Sequence, residues 1–271
     1  MPTLHAFCRS VSPSIDNCEL SFIHREPVDA VKAQAQHDNY VIALRQMGVD
    51  VIELRAERDL PDSVFVEDVV LMFDELAVMT RPGAKSRRPE VDRILPAVKN
   101  VRAVVKHIQE PGTLDGGDVL RIGKRVFVGL SQRSNQSAID QLSEILLPFK
   151  YQVIAVPMQE CLHLKSAVTA LTDQIILMNP EWVDANYFKD YRQLHVSKKE
   201  PHAANVVCVA SATSTSSVTV ANSVASILMP SNFPETQAKI EGLGLKVRAV
   251  DVSELQKAEG AVTCCSVLFN N

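Results

Sequence analysis

An excess of basic charge, a cysteine framework, a membrane span and a short cofactor motif are all missing from this sequence of 271 residues, and each gap closes a class of function. Lysine and arginine total 28 against 32 aspartates and glutamates, a net charge of -4. Such a balance supplies no electrostatic pull toward nucleic acid or an acidic membrane, so neither is expected as a partner. The six cysteines, at positions 8, 18, 161, 208, 264 and 265, form no CxxC pair. Met1-Pro2-Thr3-Leu4-His5 lacks the charged and then apolar pattern of a secretory leader, and a reducing cytoplasm is the expected compartment. The charge-free run from Val206 to Pro230 carries Ser211, Thr213, Ser214, Thr215, Ser216 and Ser217, costly in hydrocarbon, and reads as strand, polar turn, strand. Cys265-Ser266-Val267-Leu268 mimics a prenylation box, but Phe269, Asn270 and Asn271 follow it, so no lipid anchor is indicated. GxGxxG, the Walker loop, GxSxG and HExxH are absent, leaving the dinucleotide, P-loop, serine-hydrolase and zincin readings without their signatures.

The composition that remains, 46% apolar and 22% charged, is that of an ordinary globular protein. Helical periodicity appears in Val28 to Met47, Glu90 to Lys99, Ser137 to Leu147 and Thr236 to Leu243. A β-branched run follows each: Val49 to Leu54, Asn100 to Lys106, Tyr151 to Val156 and Lys246 to Val250. Strand-turn-strand patterns lie between, at Val69 to Phe73 with Leu76 to Thr80, Val119 to Ile122 with Arg125 to Gly129, Ala167 to Leu171 with Gln174 to Met178, and Val206 to Ala210 with Val218 to Met229. Two strands, a helix and a closing strand thus repeat four times, with a fifth unit split between Gly260 to Phe269 and Leu4 to Arg9, which would let the two ends close a ring. The helix of the unit around Pro180 to Tyr191 has the poorest period. No linker divides the chain, so one α/β domain over residues 1–271, its sheets around a central crevice, is expected.

Polar residues cluster where strands should end, most beside an expected hairpin: Asp62 and Phe65-Val66-Glu67-Asp68, Thr113-Leu114-Asp115-Gly116-Gly117-Asp118, Leu162-His163-Leu164-Lys165, and Thr263-Cys264-Cys265-Ser266. Alternation along a strand lets one of Cys264 and Cys265 line a crevice while the other packs in the core; the plainer reading makes both small buried hydrophobes. A nucleophilic cysteine needs a base or a cation nearby. His163 can exchange a proton near neutral pH, or be a core histidine satisfied by a carbonyl. Asp115 with its Gly-Gly tail lets backbone pass close to a bound group, or forms an ordinary Asp-Gly turn. Glu67 and Asp68 interrupt an apolar run, and buried carboxylates want a cation. Arg81, Arg87, Arg88 or Arg133 could supply it; alternatively a planar guanidinium ligand is clamped between carboxylates, leaving Arg87 and Arg133 free for a carboxylate at its other end.

Taken in order, Leu60-Pro61-Asp62-Ser63-Val64-Phe65-Val66-Glu67-Asp68, Thr80-Arg81-Pro82-Gly83-Ala84 with Ser86-Arg87-Arg88, Leu114-Asp115-Gly116-Gly117-Asp118, Leu162-His163-Leu164-Lys165 and Cys264 resemble the dimethylarginine dimethylaminohydrolase family over nearly the whole chain. The resemblance implies a pentein fold, an α/β propeller of five pseudo-symmetric ββαβ units. It implies hydrolysis of methylated arginines, asymmetric dimethylarginine and monomethylarginine, to citrulline and dimethylamine or methylamine, with no metal or organic cofactor. By position, Cys264 resembles the nucleophile, His163 the general acid and base, and Asp115 the orienting acid. Asp62, Glu67 and Asp68 resemble the guanidinium contacts, Arg87 and Arg133 the clamp on the α-carboxylate, and Leu20 the lid residue. A small-molecule substrate is the implied partner, for a monomer or homodimer. The alternatives are an arginine deiminase-like enzyme, which usually carries an added helical module that this chain has no room for; another guanidine hydrolase, such as one acting on agmatine, which should lack the paired Arg87 and Arg133; and a non-catalytic pentein, which has no reason to keep Cys264, His163 and Asp115.

Overall fold

The computed structural model describes residues 3–209 and 225–270. The chain opens with β1 (Leu4–Arg9), α1 (Ala30–Gln46) and β2 (Asp50–Leu54). It continues through β3 (Val70–Met72), β4 (Ala77–Met79), α2 (Pro89–Val101) and β5 (Val105–His107). Next come β6 (Val119–Ile122), β7 (Arg125–Leu130), α3 (Gln136–Leu146) and β8 (Gln152–Pro157). The fourth group is α4 (Leu164–Ala167), β9 (Val168–Ala170), β10 (Ile175–Met178) and β11 (Arg192–His195). The chain closes with β12 (Val207–Val209), β13 (Ser226–Pro230), α5 (Pro234–Glu241), β14 (Lys246–Val250), α6 (Ser253–Gln256) and β15 (Val267–Asn270).

These strands form five separate three-stranded sheets, β15-β1-β2, β3-β4-β5, β6-β7-β8, β9-β10-β11 and β12-β13-β14. In each, the middle strand pairs antiparallel with one neighbour and parallel with the strand that follows the crossover. The first sheet joins the two ends of the chain, Leu4 opposite Asn270 through Phe7 opposite Val267. This is the five-unit α/β propeller that the resemblance implies, ββαβ repeated around an axis.

Five cores lie between adjacent blades, and the two-residue period of a strand feeds them. Ala6 and Cys8 of β1 enter one core while Phe7 enters the next. Val78 faces one side of β4, Ala77 and Met79 the other. Phe127 is dealt against Val126 and Val128, Leu177 against Ile176 and Met178, and Leu228 against Ile227 and Met229. A middle strand is therefore buried on both faces, which is why its sequence is a continuous apolar run rather than an alternating one.

Four of the five blades add a crossover helix to one core. α1 starts at Asp29, whose carboxylate accepts from Val31 N and Lys32 N at 2.9 and 3.0 Å. It stops before Gly48, whose φ of +89° suits glycine. Between these caps it buries Ala33, Tyr40, Val41 and Leu44, a helical stripe. α3 is capped by Asn135, which accepts from Ala138 N at 3.0 Å, and buries Ala138, Ile139, Leu142 and Leu146.

The fourth blade departs from the pattern. Its crossover is a single 3₁₀ turn, Ala185–Phe188, which delivers Phe188 to the core, so the poor period around Pro180 to Tyr191 reflects a missing helix. A second difference concerns Cys264 and Cys265, placed on a strand by sequence. Both lie in a turn, and the strand begins only at Val267. Of the expected hairpin of Val206 to Ala210 with Val218 to Met229, the polar turn, Ala210 and the first part of the second strand lie outside the described residues.

Candidate active site

The residues just before the first strand of each blade meet one another. Val66–Val69 forms a 3₁₀ turn ahead of β3 and Gly116–Asp118 another ahead of β6. His163 precedes α4 and β9, Asn205 precedes β12, and Cys264 precedes β15. Sites distant in sequence thereby become neighbours. The two glycines make this possible: a Cβ on Gly116 would stand 1.9 Å from the Glu67 carbonyl oxygen, and one on Gly117 only 2.4 Å from His163 Nδ1. The close approach anticipated at this Gly-Gly pair is therefore made by the protein's own Glu67 and His163.

His163 is buried, with Nε2 3.1 Å from Asp115 Oδ2 and Nδ1 3.9 Å from Asp68 Oδ1. Burial opposes its charge, but Asp68 and the Asp115 hydrogen bond prevail and push its pKa up to about 9. Asp115 Oδ1 also accepts from Gly83 N at 2.9 Å, and its own N–H donates to Ser134 Oγ at 3.1 Å. Asp118, buried and raised to about 6 chiefly by that burial, caps α4 by accepting from Leu164 N at 2.9 Å. It also accepts from Ser131 and Ser134 hydroxyls, both at 2.6 Å.

Cys264 and His163 line the same cleft, of about 310 Å³, together with Asp62, Asp68, Arg87 and Arg133. Burial pushes the Cys264 thiol up to about 12, with Glu67 and Asp68 adding to it. The resting pair is thus thiol and imidazolium. Cys265 points away, fully buried with Sγ 3.4 Å from the Ala261 carbonyl oxygen. The opposed directions expected of the two cysteines hold, although a turn rather than a strand produces them.

Two of the expected site residues, Arg87 and Glu67, are engaged differently from the sequence reading. Arg87 is not free: Nη1 donates to Asp68 at 2.6 Å, Nε and Nη2 donate to Glu90 at 3.1 and 2.9 Å, and Nη2 also reaches the carbonyl oxygens of Asp62 and Phe65. A guanidinium buried this deeply needs carboxylates on both sides, and Asp68 and Glu90 supply them. Its charge, with His163, holds Asp68 below the usual carboxylate range despite burial. Glu67 is covered by Lys165 Nζ at 2.5 Å and Thr263 Oγ1 at 2.8 Å, and does not line the cleft. Asp62 does line it, and accepts from Glu19 N at 3.1 Å; burial raises its pKa.

Arg133 is 7% exposed, donates Nη2 to Ser21 Oγ at 2.8 Å and keeps Nη1 3.7 Å from Asp115. Leu20 is half-buried against the core between the fifth and first blades, beside Glu19 at the cleft. Glu259, unforeseen in the sequence, accepts from three consecutive amides of the following loop, Ser21, Phe22 and Ile23, at 2.9, 2.5 and 2.9 Å. Asn205 was also missed. A signal was available: Asn205 is a polar residue just ahead of the apolar β12, as Asp68 is ahead of β3 and Asp118 ahead of β6. Asp68, Asp115 and His163 bring ligand atoms within 4.8 Å of one another, but His163 and Arg87 already supply the positive charge these acids need.

Residues 11–269 match the family described as "N,N dimethylarginine dimethylhydrolase, eukaryotic". The chain belongs to the dimethylarginine dimethylaminohydrolase family. It is 38% identical over 268 residues to the N(G),N(G)-dimethylarginine dimethylaminohydrolase of Streptomyces coelicolor, covering 98% of this chain and 97% of that one. The Pseudomonas aeruginosa enzyme of the same name is 34% identical over 251 residues, covering 92% and 93%. A solved structure of that bacterium's enzyme, a cysteine-to-serine variant complexed with citrulline, superposes with a TM-score of 0.88 at 33% identity over 99% of this chain and 100% of the other. The N-terminal domain of a cyanobacterial arginine dihydrolase shares the fold, with a TM-score of 0.81 at 19% identity over 98% and 97%.

Proposed function

We propose that this protein hydrolyses Nω-methylated arginines, asymmetric dimethylarginine and monomethylarginine, to citrulline and dimethylamine or methylamine through a covalent intermediate on Cys264. The observation that carries the reading is the opposition, across one acid-lined cleft, of a neutral thiol and a charged imidazole. A thiol pushed to about 12 is a poor nucleophile until a cation arrives beside it. The substrate guanidinium is that cation, so binding and activation of the thiolate are one event.

Asp62, Asp68 and Asp115 each retain carboxylate lone pairs beyond their protein partners and hold the guanidinium. Arg133 takes the substrate α-carboxylate, exchanging its hydroxyl partner Ser21 for an anion. Arg87, saturated by Asp68 and Glu90, acts instead by fixing Asp68. The Leu20 loop covers the mouth. Cys264 gives up its proton to solvent as the substrate binds, and its Sγ bonds to the guanidinium carbon. The bond from that carbon to the methylated nitrogen then breaks while His163 donates its proton to the leaving amine. Water attacks the resulting alkylthiouronium and His163 accepts one of its protons; as the carbon–sulfur bond breaks, the remaining hydroxyl proton passes to the departing sulfur, giving citrulline and the Cys264 thiol.

The whole chain acts as one domain, in the cytoplasm, where its cysteines stay reduced. The six cysteines are unpaired thiols, and no described helix is long and apolar enough to cross a membrane. Purified protein supplied with asymmetric dimethylarginine is expected to release citrulline and dimethylamine in equal amounts, faster than citrulline and ammonia from arginine. Absence of citrulline, or a preference for arginine, overturns this reading.

A further inference from the structure

We propose that Asn205, Thr263 and Lys165 join Glu67 in a hydrogen-bonded ring that positions Cys264 for attack. The inference rests on Cys264 as the nucleophile and adds residues that do not themselves touch the substrate. A ladder would hold a cysteine on a strand, but Cys264 sits in a turn three residues before Val267, the start of β15. Something else must fix a sulfur that has to meet a carbon at roughly 3 to 3.5 Å.

The ring supplies it. Thr263 Oγ1 donates to Glu67 Oε2 at 2.8 Å and accepts from Asn205 Nδ2 at 2.9 Å. The second Nδ2 hydrogen of Asn205 goes to the Lys165 carbonyl oxygen at 3.0 Å, and Asn205 Oδ1 accepts from Thr263 N at 3.0 Å. Lys165 Nζ closes the circuit on Glu67 Oε1 at 2.5 Å. Glu67 then reaches the nucleophile itself, its backbone N–H donating to the Cys264 carbonyl oxygen at 3.3 Å. Both hydrogens and the oxygen of the Asn205 amide are engaged, in one consistent sense.

The four residues come from four different blades, and among the described residues none of the four lines the cleft that holds Cys264 and His163. Asn205 and Thr263 are 4% and 6% exposed. Lys165 balances the charge of Glu67, so the ring holds the nucleophile turn without leaving an unpaired buried carboxylate beside it. The segment just ahead of the first strand, which carries Asp68, His163 and Cys264 in three other blades, thus serves for support in the blade of β12. A mere staple would affect stability; a positioning device affects the chemical step.

Thr263→Val keeps the shape and loses the hydroxyl, and Asn205→Leu removes the amide. Each is expected to lower kcat for asymmetric dimethylarginine about tenfold or more while KM stays within about twofold. Thr263→Ser restores the hydroxyl and should recover most of kcat. The double variant should lose no more than the worse single one, because both break the same circuit. If Asn205→Leu does not fold, Asn205→Asp keeps the acceptor and loses both donors, with the same loss of kcat expected. Variants that melt earlier but turn over at the wild-type rate, or that change KM alone, overturn the proposal. Turnover retained by Cys264→Ser would instead bring down the assignment of the nucleophile, an outcome that wild-type and Cys264→Ser assays report without the ring variants.

Discussion

Cys264 and Cys265 are adjacent, buried and chemically alike, yet only one faces a histidine across the cleft. Cys264→Ser is expected to abolish citrulline formation, whereas Cys265→Ser, whose hydroxyl can take over the contact with the Ala261 carbonyl, should retain it at a stability cost of about 1 kcal/mol. Equal losses in both would reverse the assignment. The imidazole makes a second prediction. With His163 at about 9, kcat/KM should fall on the alkaline side as its proton is lost. Asp115 is one cause of that elevated value, so Asp115→Asn should move the alkaline limb to lower pH in addition to slowing turnover; a limb that stays put would remove Asp115 from control of the imidazole. Arg133→Ala should raise KM with a smaller effect on kcat, since the α-carboxylate is held equally in ground and transition states. Arg87→Ala should do more damage, because it strips Asp68 and Glu90 of their shared cation.

Short turns and loops, rather than helices or strands, bring these side chains together, and they tolerate little change. Gly116→Ala would drive a methyl group into the Glu67 carbonyl 1.9 Å away, backbone against backbone, with no flexible side chain to yield. A loss of about 3 kcal/mol or more in chemical denaturation is expected, together with loss of activity. The loop after Leu20 is held by a different device: three successive amides, Ser21, Phe22 and Ile23, point at the Glu259 carboxylate. Glu259→Gln would set an NH2 group against one of them. Amide hydrogen exchange at these three positions should then speed up while the sheets stay protected, and unchanged exchange would show that the carboxylate is not what holds the loop.

Across the whole molecule, five blades share five cores, and a group buried without a partner in one of them affects the stability of all. His37 on α1 is 2% exposed, and its Nε2 has no hydrogen-bond partner among the described residues. Burial lowers its pKa to about 4, below the usual value in an unfolded chain, so folding favours the neutral ring. That stability is complete above about pH 6.5 and drains away as pH falls toward 4, by up to about 3 kcal/mol. Relative to wild type, His37→Leu should therefore gain stability steadily over this interval in urea titrations. A difference independent of pH would show that the imidazole can ionise within the fold.

The repeat of hairpin, helix and strand was readable because periodicity is local: a strand alternates every two residues and a helix every 3.6, wherever the chain goes next. Glu67, Asp68, Asp115, His163 and Cys264 could be picked out in the same way, as polar residues beside expected strands, although the sequence pattern set them at strand ends and the fold sets them just ahead of strands. Their partners could not. That Arg87 serves Asp68 and Glu90, that Glu67 is claimed by Lys165 and Thr263, and that Asn205 closes their circuit depends on contacts between blades up to 196 residues apart in the chain. Only ring closure brings such groups within reach, and a charge meeting several candidate partners takes the one that burial leaves beside it.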